Sequence, residues 1–383
     1  MKVYRIVHGM RNVVVIAVVA LAIGGGMMAS VEEAAASQVV KNPYDSVDWD
    51  TVKHYIANFH SHTVYSDGRA EPDQLIYNYA EAGYHILAIT DHDNHHTVRE
   101  EDGERATVPT ASTTWPWTNW ISERPSQVWH RAGFETSAFY PDLGEEGMLA
   151  VRGNELSSHP HLVSLFNDCG YEDRAQTDDE RMACIGSHEG LGYWAHPRNY
   201  VPGGSWEERF FDTDDWAISI QYYGDYIAEN DHMLGFEMQL GDRTPLEVEF
   251  LDRLLAAYYR DHDIFYMGSD DTHSTSVSGS ATLTIVLAES LTEEAVRSAL
   301  EQGHKFVGTR VDVFPEINAI IVDDAAQTLT VDAEHHDGVT WFKDGAEYAT
   351  GDALDYSDME NAVVRFQLAV DGATFYSQAF YIE

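Results

Sequence analysis

Tyr55-Ile-Ala-Asn-Phe-His60-Ser-His62-Thr-Val-Tyr-Ser-Asp67-Gly68 carries a short apolar run straight into two histidines and a carboxylate on a turn. The run reads as a strand, and alternation along extended backbone points His60 and His62 to the same side. With 19 histidines in the chain, one His-x-His is expected by chance, so the pair needs its context. The context recurs along the sequence. Ile86-Leu-Ala-Ile-Thr90 leads into Asp91-His92, Val151-Arg-Gly-Asn into Glu155, and Leu191-Gly-Tyr-Trp-Ala195 into His196-Pro197. His161 and the Asp271/His273 pair complete the series, each at the end of an apolar run. Burying such groups unpaired is costly, so they are expected to coordinate metal or one another. Asp91 is read as holding the imidazole of its neighbour His92. A (β/α) barrel gathers the carboxyl ends of its strands on one face, where residues far apart in sequence share a pocket.

Working outward, apolar runs at 55–59, 86–90, 148–152, 161–166, 191–195, 234–238 and 264–268 predict buried parallel strands, near-continuous in apolar character because helices cover both faces. Helices are predicted at 72–82, with Pro72 in the first turn and Gly83 as the stop, and at 245–262. A third, 292–302, has Thr292 as N-cap, Glu293 and Glu294 in the first turn and Gly303 at its end. The alternation predicts an α/β fold. Two long insertions, 94–147 and 198–233, interrupt it. They are rich in aromatics, including Trp115, Trp117, Trp120 and Trp129 in the first and Trp216, Tyr222, Tyr223 and Tyr226 in the second. Insertions of this length form lids or subdomains, and the aromatics are read as packing them more than as ligand platforms.

Composition narrows the function classes. The chain has 383 residues, 64 acidic against 23 basic, and a formal charge of −41. Such a surface repels nucleic acid and anionic lipid and is read as adapted to high salt, where repulsion is screened. Lys2, Arg5 and Arg11 precede an apolar stretch, 13–23, and small residues follow up to Ala36. This predicts a signal peptide over 1–36 and an exported protein, the alternative being an uncleaved anchor. Cys169 and Cys184 either pair across an acidic loop or stay free; spacing does not decide.

From 313 the texture changes to short alternating runs at 317–322, 328–331, 338–342, 363–370 and 375–382, separated by Asp-Gly and Gly-Asp turns. Hairpins are predicted, and Trp341-Phe-Lys-Asp-Gly345 with Tyr356 suggests a small immunoglobulin-like module over 313–383, behind a catalytic domain over 37–312.

The ordered ligand series resembles the PHP family, the polymerase and histidinol phosphatase metallohydrolases, over roughly residues 55–309. The resemblance implies a distorted (β/α)7 TIM-like barrel and two or three divalent ions, with His60, His62, Asp67, His92, Glu155, His161, His196, Asp271 and His273 as ligands. His159 lies close enough to compete with His161, which is preferred because Leu162-Val-Ser-Leu-Phe166 follows it in the family's manner. Ala299-Leu-Glu-Gln-Gly-His-Lys-Phe-Val-Gly-Thr309 is similar to a segment of an exported branch near the carbaryl-hydrolase-like enzymes. All-N/O ligation suits Zn, Mn or Fe. Glu155 is read as bridging two ions, and Asp67, His92 and His273 as holding a third. Arg198 is the candidate for gripping a phosphoryl or carboxyl oxygen, set against a surface salt bridge. His95, with His96 beside it, is the candidate proton donor, set against a place on the loop's rim. The expected activity is hydrolysis of a small anionic phosphomonoester or diester. Carboxyl ester, carbamate or amide hydrolysis is the alternative, and a non-catalytic binding protein stands behind both.

Overall fold

The apolar runs that lead into the histidine clusters are strands, and most of their residues are buried. The computed structural model describes residues 36–64, 66–92, 96–99, 105–108, 148–167, 169, 177–197, 216–241, 244–279 and 281–383. The order begins β1 (Val39–Lys41), β2 (Lys53–Asn58), α1 (Pro72–Glu81), β3 (Ile86–Ile89), β4 (His96–Arg99), β5 (Arg105–Val108), β6 (Leu149–Leu156) and β7 (Leu162–Leu165). It continues α2 (Asp178–Ser187), β8 (Leu191–Trp194), α3 (Trp216–Glu229), β9 (Met233–Met238), α4 (Thr244–Tyr258), β10 (Phe265–Gly268), β11 (Thr282–Ala288), α5 (Glu293–Gln302) and β12 (Lys305–Thr309). Eight strands follow: β13 (Glu316–Asp323), β14 (Thr328–Glu334), β15 (Gly338–Lys343), β16 (Ala346–Thr350), β17 (Ala353–Asp355), β18 (Ala362–Val370), β19 (Ala373–Ser377) and β20 (Phe380–Ile382). The result is an α/β fold dominated by strands. Among the described residues no helix is long and apolar enough to cross a membrane.

One sheet runs β1-β20-β18-β19-β12-β11-β2-β3-β6-β7-β8-β9-β10, with β15 on β18 and β16 on β15. Its far end curls back: the Gly268 amide donates to Thr284 Oγ1, and that hydroxyl donates to the Gly268 carbonyl, both at 2.9 Å. Only glycine permits this approach of β10 to β11, because a Cβ at 268 would lie 2.3 Å from the Leu283 carbonyl oxygen. Side chains alternate between two cores as strand geometry requires. Ile86 and Ala88 of β3 face one, shared with Phe59, Val151 and Val163; Leu87 and Ile89 face another, shared with α1 and the C-terminal strands.

The three predicted helices are α1, α4 and α5, and α4 ends at Tyr258, short of the predicted 262. Thr292 caps α5 through Ala295 N, and Gly303 ends it in the left-handed conformation with φ 77°. Thr177 and Glu180 form a reciprocal capping box on α2.

Three expectations need correction. The strands are not all parallel: β2–β3, β3–β6, β8–β9 and β9–β10 are, but β7 runs antiparallel to both β6 and β8. The link from β6 to β7 spans only residues 157–161, too short for a parallel crossover, which takes a dozen residues or so. The stretch 198–233 contains a regular helix, α3, whose Ile220, Tyr223 and Ile227 are buried. Tyr222, Tyr223 and Tyr226 pack around Trp194 at ring-centre distances of 5.9, 5.3 and 5.7 Å, so these aromatics build core. The four tryptophans of 94–147 lie outside the described residues. The C-terminal strands are antiparallel, as their alternation predicts, but β18, β19 and β20 extend the main sheet through the pairing of β19 with β12. Only β13, β14 and β17 form a second sheet. Trp341 of β15, which pairs with β18 in the main sheet, is buried and donates to the Gly351 carbonyl at 2.8 Å. Cys169 and Cys184 are joined in a disulfide.

Candidate metal centre

Every described donor predicted from the sequence arrives at one end of the curled sheet. His60 and His62 follow β2, His92 follows β3, Glu155 closes β6, His196 follows β8, and Asp271 and His273 follow β10. His161 precedes β7 instead of following it. Because β7 is antiparallel, its start lies where its neighbours end, and His161 joins the same face.

Two of these positions hold unusual backbone: His196 and Asp271 have φ of 29° and 48°, conformations that non-glycine residues adopt at a cost and that gather at functional sites. The loop carrying Asp67 is tied down by Asp91. That carboxylate accepts from the Thr63 amide at 2.7 Å, the Thr63 hydroxyl at 2.6 Å and the Ser66 hydroxyl at 2.6 Å. Asp91 therefore shapes the 63–67 turn and does not hold His92; three hydroxyl and amide donors lie in its path first. His92 Nδ1 instead sits 2.6 Å from Ser157 Oγ.

Glu155 stands at the middle and is fully buried. Its Oε1 lies 2.8 Å from His161 Nδ1 and 3.0 Å from His196 Nε2. Its Oε2 lies 2.8 Å from His92 Nδ1, 3.3 Å from His62 Nε2 and 3.4 Å from His60 Nε2. Asp271 Oδ1 is 3.0 Å from His62 Nε2 and 3.4 Å from His60 Nε2. Beyond them Asp67 stands 3.1 Å from His273 Nε2 and 3.3 Å from His92 Nε2. The donors divide into overlapping groups: His62, Asp67, His92 and His273; His60, His62 and Glu155; His60, His196 and Asp271; His92, Glu155 and His161. The outer trio expected from the sequence thus gains His62 as a fourth member.

The donor set fits divalent cations on a specific observation. Glu155 Oε2 and Asp271 Oδ1 are buried and accept no hydrogen bond of ordinary geometry, though imidazole nitrogens crowd them. His60 Nε2 and His62 Nε2 face one another at 3.0 Å. Atoms that surround common points without aiming at each other leave buried charge uncompensated unless a cation supplies the balance. Without a metal, the histidines and carboxylates shift one another. Burial would raise the Glu155 carboxyl, but His161, His60 and His92 outweigh it and hold it well below the carboxylate range. Burial likewise opposes ionisation of Asp271 and is overcome by His60, His62 and His196. His92 is pushed down by burial and pulled up further by Glu155 and Asp67, to about 10. For His161 burial wins, and it falls to about 4.

His159 is exposed and stacks on His161 with ring centres 5.1 Å apart; it joins none of the donor groups among the described residues, and His161 does. Arg198 and His95 lie outside the described residues, and His96 is the first residue of β4. The segment 299–309 forms the end of α5 and β12 and contributes no donor to these groups.

Sequence reasoning missed three residues. Glu237, the one acid in the apolar run Met233–Met238, is fully buried beneath the centre, with Oε1 2.9 Å from His60 Nδ1. A lone carboxylate inside a buried strand was the available signal. Arg181 of α2 is buried and donates to the carbonyls of Leu156, Ser158 and Pro160 at 3.1, 3.0 and 2.7 Å, clamping the turn that carries His161. Ser157 had no signal beyond its neighbourhood.

The chain matches the PHP domain model over residues 58–261. No curated protein matches. Among solved structures it is similar to a two-domain protein from Bacteroides vulgatus ATCC 8482 containing a predicted PHP-like metal-dependent phosphoesterase. Identity is 14%, with 88% of this chain and 96% of that one covered and a TM-score of 0.43. It is also similar to an amidohydrolase from Chromobacterium violaceum with bound sulfate and no metal, at 12% identity, 57% and 87% coverage and a TM-score of 0.34.

Proposed function

Because the chain belongs to the PHP domain family, we propose that this metal-dependent hydrolase is a phosphoesterase acting on a small phosphomonoester or phosphodiester. The observation that carries the reading is the convergence of nine N/O donor residues, two of which, Glu155 and Asp271, hold a buried carboxylate oxygen outside ordinary hydrogen-bond geometry. We assign His60, His62, Asp67, His92, Glu155, His161, His196, Asp271 and His273 to two or three ions of Zn, Mn or Fe, metals that accept all-N/O ligation. When bound, such ions activate water at neutral pH and polarise a phosphoryl oxygen.

The residues of the chain do the rest. Glu155, with an oxygen toward each side of the cluster, joins the inner and outer donor groups. Asp91 fixes the turn that presents Asp67, and Arg181 fixes the turn that presents His161. We further propose Arg198 for gripping the phosphoryl group and His95 for protonating the leaving group. A barrel closed between β10 and β11 is our reading of the curled sheet, supported by the hydrogen bonds between Gly268 and Thr284. Export is supported by the basic and apolar N-terminal residues and by the Cys169–Cys184 disulfide, since such bonds persist in oxidising compartments.

The test is a hydrolysis panel on the chain in high salt, loaded with Mn²⁺, Zn²⁺ or Fe²⁺ and offered nitrophenyl phosphate, bis-nitrophenyl phosphate and nitrophenyl acetate. Metal-dependent turnover of a phosphate, absent in His62→Ala, is the expected result. Turnover of the acetate alone would replace phosphate by an acyl group as the substrate.

A further inference from the structure

We infer that Glu237 is a positioning residue that sets which nitrogen of His60 is free to bind metal and at the same time holds the strained backbone of His196. This rests on the metal-centre reading above and adds a residue that lies outside the donor groups.

The geometry is specific. Glu237 and His60 are both fully buried, and Glu237 Oε1 lies 2.9 Å from His60 Nδ1. Glu237 Oε2 accepts from the His196 backbone amide at 2.9 Å and from Gln239 Nε2 at 3.2 Å. A backbone amide and a carboxamide NH2 can only donate, so Oε2 must accept. With Oε1 accepting as well, His60 holds a proton on Nδ1, which leaves Nε2 as the nitrogen available to a metal. That nitrogen faces the cluster, 3.0 Å from His62 Nε2 and 3.4 Å from both Glu155 Oε2 and Asp271 Oδ1. One carboxylate on β9 thereby orients ligands that follow β2 and β8. His196 needs such an anchor, because its φ of 29° is one a non-glycine residue keeps only when neighbours enforce it.

Glu237→Gln separates this role from packing. The amide is nearly the same shape, but its oxygen must stay opposite the His196 N–H, which can only donate. Its NH2 then faces His60 Nδ1, which becomes an acceptor, and the ring proton moves to Nε2, the nitrogen aimed at the metal. Calorimetric titration of the metal-free full chain with ZnCl2 should show affinity falling by about 10–100-fold, the range for losing an outer partner of a ligating histidine. The melting temperature of the metal-free chain should stay that of the parent, whereas a merely structural role would move it. Glu237→Asp, which keeps two acceptors at shorter reach, should recover part of the loss. Nitrogen-15 NMR of the zinc-loaded parent should show His60 protonated at Nδ1, a readout that stands even if the variants do not fold. Equal zinc affinity in Glu237→Gln and parent, or His60 protonated at Nε2 in the loaded parent, overturns the inference alone. A parent that takes up no metal overturns the metal-centre reading, and this inference with it.

Discussion

Two of the places where this molecule encloses carboxylates treat them differently. Under the C-terminal strands, Asp252 of α4 meets Arg365 of β18 side on, Nε to Oδ1 at 2.8 Å and a terminal nitrogen to Oδ2 at 2.9 Å. Each carboxylate oxygen there has a donor aimed at it. At the other place, Glu155 Oε2 and Asp271 Oδ1 have nitrogens close by, none in ordinary hydrogen-bond geometry. A paired buried charge joins elements and contributes little net stability until one partner is removed. An uncompensated one is a cost that persists only where something else is bound. The distinction separates structure from function better than burial does, since the Asp252 and Asp271 side chains are similarly enclosed, 15% and 20% exposed.

Breaking each place should therefore give opposite phenotypes. The largest effect is on activity: Glu155→Gln should reduce metal-dependent phosphate hydrolysis to background and lower bound metal measured by mass spectrometry, while the metal-free chain melts no lower than the parent. A Gln variant that keeps its metal and turnover would remove Glu155 from the centre. Next comes stability. Asp252→Ala strands a buried guanidinium and should cost about 3–5 kcal/mol in urea unfolding, with turnover per folded molecule unchanged. Loss of turnover in the folded fraction would show that the two places are coupled.

Lys305 sharpens the comparison as a third case, a buried cation whose Nζ donates to the Leu300 carbonyl at 2.8 Å and lies 4.6 Å from the Phe265 ring centre. Burial pushes it down to about 7, against about 10.4 in an unfolded chain. Between those values the unfolded chain binds a proton that the folded chain does not. Stability from this group thus rises with pH from about 7 to 10, by at most about 1.4 kcal/mol per unit, and the full penalty is present below pH 7. Lys305→Met should remove that slope, exceeding the parent most at pH 6 and converging on it near pH 10 in urea titrations. A difference between the two that does not vary with pH would count against a neutral Lys305 in the folded chain.

Much of this was legible in the sequence because strand periodicity and ligand chemistry coincide at strand ends. His60-Ser-His62 and Asp91-His92 announce both an element and its terminus, and Thr292 with Gly303 announces a helix. What stayed hidden depended on partners distant in sequence or on strand direction. Asp91 reads as the natural support of the histidine beside it, yet its side chain turns to Thr63 and Ser66, 28 and 25 residues earlier. Glu237 serves a histidine 177 residues before it. The reversal of β7 follows from a short link whose meaning appears only once both flanking runs are accepted as strands.

That reversal bears on how the centre is assembled. Glu155 and His161 are separated by six residues and His60 and Glu237 by 177, and the entropy of closing a loop grows with the logarithm of its length. The longer closure costs about 3 kcal/mol more. The hairpin of β6 and β7 can therefore set two donors in place on its own, while the tautomer of His60 waits for β9 to bring Glu237 to it.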